Sequence, residues 1–202
     1  MSKNLQIIAW IVFVALVGGA IFYALSGNNG NESPSSAADN EPQSVEILKY
    51  SDYSCPACRQ YIPFQEQLKR DFGDNLTIEY RHFPLSGFQY SNLAARAVEA
   101  AAEQGQKMEM HDRIFEEQST WTQGNAEEYF ITYAEEIGLD HEQFRQDLDA
   151  ANIRERVERQ RSEGERRMVQ GTPTYFINGQ RVRQLPQNYG QFRSLVEMYM
   201  YR

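Results

Sequence analysis

The chain has 202 residues, of which 41% are hydrophobic, and a formal net charge of −8. That length allows one ordinary domain plus a short extra segment, and the apolar share suffices for a packed core. No run of Lys and Arg builds a basic footprint, so nucleic acid is excluded as a partner.

Residues 5–25 read LQIIAWIVFVALVGGAIFYAL, without a charged side chain. About 20 apolar residues at about 1.5 Å each span a hydrocarbon core of about 30 Å, which predicts one N-terminal transmembrane helix. Lys3 precedes the run, and no Lys or Arg follows until Lys49. The positive-inside bias then places the N-terminus in the cytoplasm and the rest on the extracytoplasmic side, periplasmic or outer. Trp10 and Tyr23 suit the two interfaces. A cleaved signal peptide is the competing reading, but the run is long for one and the site near Ala24 to Ser26 is poor. Residues 26–44, rich in Asn, Ser, Gly and Pro, read as a flexible tether. The expected organisation is an anchor at 1–25, a linker at 26–44 and a domain at 45–202.

The domain opens with a β-favouring run at 45–50, VEILKY. In SDYSCPACRQYIPFQEQLKRDF, Tyr61, Phe64, Leu68 and Phe72 then recur at helical spacing, and Gly73 with Asp74-Asn75 closes the helix. A second strand, LTIEYRHF at 76–83, ends at Pro84. Strand–helix–strand predicts a parallel pair with a right-handed crossover. Helices follow over 92–104, ending at Gly105, and 107–118, with Met108, His111, Ile114 and Phe115 on one side. Asn125 and Glu128 have the spacing of an N-cap with a reciprocal carboxylate, and Asp140 with Gln143 repeats it. The alternating charges of 154–167 predict a solvated, salt-bridged helix rather than an interaction arm. GTPTYFINGQRVR has two β-favouring arms about Asn178-Gly179, a hairpin signal, and a last helix spans 188–201. The order is β-α-β, several helices, β-β-α, which is an α/β class.

Cys55 and Cys58 are the two cysteines of the chain. Disulfide-stapled secreted scaffolds carry more, and a bridge across so short a loop stabilises little, so the pair reads as chemical. Cys55 stands at a helix start, where unpaired amides and the helix dipole favour a thiolate, so its pKa is expected below the free value of about 8.5. Cys58, one turn in and more shielded, suits a resolving role. Pro56 fits the first turn, where its missing N–H does no harm. An inert bridge and half a zinc site are the bland alternatives; zinc wants four ligands, and His82, His111 and His141 are scattered, so no metal is expected. Thr172-Pro173 stands directly before a strand, either as a cis proline in a tight turn or as a trans proline opening an edge strand.

SDYSCPAC at a strand-to-helix turn, YRHFPL after the second strand, a helical insertion and then GTPTYFING resemble the DsbA-like thioredoxin-fold disulfide oxidoreductases, from about residue 45 to the C-terminus. The resemblance implies a thioredoxin fold with an inserted helical subdomain at about 92–167. It implies Cys55 as nucleophile, Cys58 as resolving thiol, and Pro173 in cis with Thr172 beside the cysteines. A substrate peptide would add along that loop as a strand. Pro56 and Ala57 would tune the pair, and Tyr53 would lie near the groove mouth. The implied activity is disulfide formation in reduced exported proteins, with recycling by a membrane partner of the DsbB or VKOR-like type and no cofactor. The same fold run backwards, as an exported reductase or isomerase, is one alternative; a non-catalytic, membrane-tethered client-binding factor is another.

One position departs from the pattern. Six residues before Cys55 these folds often carry a buried carboxylate, and here it is Lys49. Buried, Lys49 is expected to tune the thiols with Glu79 as a charge-swapped partner; otherwise it snorkels to the surface. His82 reads as a strand-end residue in a structural hydrogen bond, with an acid–base role beside the thiolate as the alternative.

Overall fold

A computed structural model describes residues 41–202. The expected anchor at 1–25 and the linker up to residue 40 lie outside the described residues. Among the described residues no helix is long and apolar enough to cross a membrane.

β1 (Val45–Ser51) pairs in parallel with β2 (Leu76–His82), from Val45 opposite Leu76 to Ser51 opposite His82. On its other edge β1 pairs antiparallel with β3 (Thr174–Ile177), which turns back into the short β4 (Gln180–Arg181). The sheet is therefore mixed, in the order β2-β1-β3-β4. The β3–β4 turn has φ of 47° at Asn178 and 76° at Gly179, the double positive φ a two-residue hairpin requires. Asn178 Oδ1 also accepts from the Glu46 amide at 2.8 Å, which ties the turn to β1.

Where the apolar period suggests one helix after Cys55, there are two, α1 (Pro56–Gln60) and α2 (Ile62–Phe72), joined at Tyr61. Pro63, in the first turn of α2, has no N–H to continue the ladder. Six helices separate β2 from β3: α3 (Ser91–Glu103), α4 (Lys107–Glu116), α5 (Gln118–Trp121), α6 (Ala126–Glu136), α7 (His141–Leu148) and α8 (Ala151–Arg166). A last helix, α9 (Tyr189–Met200), follows β4. Asp140 and Asn188 cap α7 and α9, each accepting from a backbone amide three residues on at 3.0 Å. Asn125 does not cap α6 as its spacing suggests: its backbone is left-handed, φ 54°, and its side chain reaches no amide. A capping side chain needs the extended backbone that Asp140 and Asn188 have.

Strand alternation divides the core into layers. Val45 and Ile47 of β1 and Tyr175 and Ile177 of β3 pack with Leu68 of α2 and with Phe192, Val196 and Met200 of α9. The opposite face, Leu48, Tyr50 and Phe176, packs with Phe83 and Val169. There α8 comes so close that a Cβ on Gly164 would stand 2.7 Å from Phe83 Cδ2. The inserted helices have their own core, including Val98, Ile114, Trp121, Phe130 and Phe144, and it reaches Tyr53, Cys55 and Cys58. Glu99, buried on α3, ties the insertion together through His82 (2.8 Å), Lys107 (2.8 Å), Gln160 (3.1 Å) and Arg156 (3.2 Å). The charged stretch of α8 is a solvated helix with exposed pairs such as Arg161–Glu165, as its pattern predicts.

Candidate active site

Cys55 is the N-cap of α1, and Pro56 is its first residue. Backbone bonds close the turn, Cys58 N to Cys55 O at 3.0 Å and Cys55 N to Asp52 O at 3.2 Å. Gln118 of α5 donates from Nε2 to the Tyr53 carbonyl (2.6 Å) and the Cys55 carbonyl (3.1 Å), so the insertion grips the turn directly. Asp52 fixes the approach: its carboxylate accepts from Ser54 N at 2.7 Å, Leu85 N at 2.8 Å and Ser91 Oγ at 2.7 Å. Both cysteines are free thiols; Cys55 is 6% exposed and Cys58 fully buried.

The two sulfurs differ in acidity. A hydrogen bond from the Cys58 thiol, with help from the Thr172 side chain and the Cys58 and Ala57 amides, holds Cys55 down at about 6 against burial. The cause is local: α1 has five residues and breaks at Tyr61, too short for much of a dipole. Burial, and then the bond to Cys55, push the Cys58 thiol well above its ordinary range. The Thr172–Pro173 peptide is cis and brings Thr172 to the cysteines; in the dithiol form Cys55 Sγ donates to Thr172 O at 3.4 Å. Thr172 Oγ1 is then buried without a partner, free to donate once the Cys55 proton has left.

Lys49 does not snorkel: it is fully buried, because alternation along β1 puts it on the inner face with Val45 and Ile47. Its Nζ donates to Cys58 O (3.5 Å) and Gln65 Oε1 (3.4 Å) and lies over the rings of Phe115 and Tyr80. Burial lowers its pKa to about 8, against an upward pull from Cys58 and Cys55. Glu79 is not its partner. Register sets Tyr80, not Glu79, beside Lys49, and Glu79 turns to the other face to pair with Arg81. Tyr53 is likewise not at a groove mouth: it is 2% exposed, stacked on Phe115, with its hydroxyl 2.7 Å from His111 Nδ1. His82 makes the structural bond its position suggests, to Glu99.

Gln65, Tyr175 and Gln118 complete the site, and neither glutamine belongs to a motif of the sequence; His111, on the apolar side of its helix, joins them through the Tyr53 hydroxyl. Gln65 and Leu68 share a face of α2 at helical spacing, and a polar residue on that apolar stripe was the available signal. Beside Pro56 a groove of about 390 Å³ opens between Ser54, Phe88, Tyr90, Gln118 and Thr122.

A family model described as thioredoxin matches residues 39–198. Curated relatives include the Na(+)/H(+) antiporter NhaA of Herminiimonas arsenicoxydans, 31% identical over 196 residues, which are 90% of this chain and 31% of that protein. NhaA 3 of Salinispora tropica is 35% identical over 138 residues, 68% of this chain and 20% of that protein. The chain thus spans less than a third of the length of these relatives. Among solved structures, a thioredoxin-like oxidoreductase from Silicibacter pomeroyi DSS-3 is similar with TM-score 0.63 and 25% identity, covering 78% of this chain and 87% of that one. The thiol–disulfide exchange protein alpha-DsbA2 of Wolbachia pipientis shares the fold at TM-score 0.66 and 21% identity, over 85% of each chain. Oxidised BdbD of Bacillus subtilis shares it at 0.68 and 20%, over 80% of this chain and 92% of that one.

Proposed function

The chain belongs to the thioredoxin family, and on that premise we propose that it is a thiol–disulfide oxidoreductase that forms disulfides in exported proteins, with Cys55 as nucleophile and Cys58 as resolving thiol. The observation that carries the direction is the split between a Cys55 held at about 6 and a buried Cys58 pushed upward.

Starting from the Cys55–Cys58 disulfide, a client thiolate attacks Cys55 Sγ. The sulfur–sulfur bond breaks, and Cys58 leaves and is protonated in its buried site. The second client thiolate then attacks the client sulfur of the mixed disulfide and expels Cys55. Low-pKa thiols leave faster, so this last step is fast, and stabilising the Cys55 thiolate favours the reduced enzyme, which makes the pair an oxidant. The Lys49 charge beneath the thiols acts in the same sense. Thr172 and Pro173 border Cys55 and offer backbone groups to an extended client strand. The charge-free run at 5–25 behind Lys3 supports an extracytoplasmic domain held at the membrane. A DsbB or VKOR-like partner in the same membrane would then reoxidise it.

The test is oxidation of a reduced two-cysteine peptide by the preoxidised protein, with Cys55→Ser as control, and the equilibrium with glutathione. An oxidant settles toward about −120 mV and a reductant toward about −270 mV. No peptide oxidation by the wild type refutes the enzyme; a thioredoxin-like potential turns it into a reductase.

A further inference from the structure

Lys49 is the only Lys or Arg that is fully buried among the described residues, and neither of its hydrogen bonds goes to a carboxylate. The bonds end on two neutral oxygens, Cys58 O and Gln65 Oε1, and aromatic rings of Phe115 and Tyr80 close the space around it. The titratable groups facing it are Cys55 and Cys58 from α1, Lys69 from α2, Tyr80 from β2, His111 from α4 and Tyr175 from β3. Lys69 is occupied by Glu66 at 2.9 Å, and His111 by Tyr53. Glu66 and Asp112 lie farther out, beside Tyr80. Burial keeps both tyrosines protonated and His111 neutral. Among these close neighbours the thiols alone supply negative charge near neutral pH, and a disulfide supplies none. A buried charge that loses its partner loses its proton instead.

We propose that Lys49 takes up a proton when the Cys55–Cys58 bond is reduced and releases it when the bond forms, so that this site exchanges two protons where a lone cysteine pair with an acidic first thiol exchanges one. The inference rests on the disulfide-exchange reading above. In the disulfide form Lys49 is a neutral amine. Two client thiols give up two electrons and two protons; the enzyme S–S bond breaks and the client S–S bond forms. One proton goes to Cys58 and the other to Lys49, while Cys55 remains a thiolate. The site's net charge is unchanged, because the new ammonium balances the new thiolate. The pull of the thiols on Lys49 is upward, so their loss moves its titration in the required direction.

The direct test is a ¹³Cε NMR titration of Lys49 in the wild-type protein, once reduced and once oxidised. The midpoint of the oxidised form is expected at least tenfold in proton concentration toward acid from that of the reduced form. Equal midpoints overturn the proposal. The second readout compares the pH dependence of the glutathione equilibrium in wild type and Lys49→Met, with the Cys55 titration measured in each. Between the two Lys49 midpoints the wild type should lose an extra factor of ten per pH unit, about 30 mV for a two-electron couple. Parallel slopes, once Cys55 is accounted for, overturn it as well. If neither protein exchanges with glutathione at all, the disulfide-exchange reading itself falls; if exchange proceeds and the Lys49 midpoint stays fixed, only the proton coupling does.

Discussion

Replacing Cys58 by Ala should return much of the ordinary acidity to Cys55. In the wild type the Cys55 thiol sits at about 6 against an ordinary 9.0, and the Cys58 thiol is the largest of the groups that lower it. At pH 7 that difference means about 90% thiolate instead of about 1%. A hydrogen bond to a charged group contributes about 1.5–3 kcal/mol, which at about 1.4 kcal/mol per unit is about 1–2 pKa units. Cys58→Ala leaves the Thr172 side chain and the two backbone amides in place, so the midpoint should rise by that amount and no further. Thiolate at pH 7 then falls to about 10–50%. Alkylation rates and ultraviolet thiolate absorbance, followed across about pH 4 to 10, measure both midpoints. The linkage has a definite sign. A depressed folded pKa adds stability to the reduced protein that is fully present above 9.0 and is lost as pH falls through about 6. That rise in stability should shrink in the variant. A wild-type midpoint near 9, or a variant midpoint equal to the wild type, would refute the assignment of Cys55 acidity to Cys58.

Gly164→Ala should destabilise by about 1 kcal/mol in urea unfolding: crowding Phe83 and Tyr50 costs about 1–3 kcal/mol, and the better helix former returns about 1. A gain in stability would show that α8 does not approach the sheet as closely as described. Glu99→Ala should cost about 1–3 kcal/mol, because buried His82 and the Gln160 amide lose their acceptor while Arg156 keeps Glu103 and Lys107 reaches solvent, and a loss under about 0.5 kcal/mol would contradict that. Burial lowers the pKa of both His82 and His111, so their contribution to stability is present above 6.5 and is lost as pH falls below it. Melting temperature should therefore drop between about pH 7.5 and 5, and a flat profile in that window would count against two buried neutral histidines. Asn178→Ala removes the acceptor of the Glu46 amide and the residue suited to φ 47°, and about 1–2 kcal/mol should be lost in thermal unfolding while alkylation of Cys55 is unchanged.

Much of this architecture was legible in one dimension, because the signals are local. Strands at 45–50 and 76–83, the Asn178-Gly179 hairpin and the last helix follow from alternation, turn chemistry and period, and each is found within a residue or two. Spacing says nothing of backbone φ, and Asn125, left-handed at the start of α6, makes no cap bond. The period of Tyr61, Phe64, Leu68 and Phe72 runs across the break that precedes Pro63, so periodicity alone shows one helix where the chain forms two.

What sequence alone determined was the chemistry: two thiols one turn apart at a helix start, a proline before a later strand, and a lysine six residues upstream. Those depend on residue type and short spacing, which a chain carries whether or not it is folded. Which groups surround the thiols was decided only by tertiary structure. Lys49 lies against Tyr80 rather than Glu79 because the parallel register of β1 and β2 puts alternate residues on opposite faces. Gln118 and His111 reach the site from helices some 60 residues away in sequence. Burial then sets the acidity of Cys58 and Lys49, while hydrogen bonds from Cys58 and Thr172 set that of Cys55 against burial; both effects belong to the packed fold, which brings desolvating neighbours and the Thr172 side chain to the same few atoms.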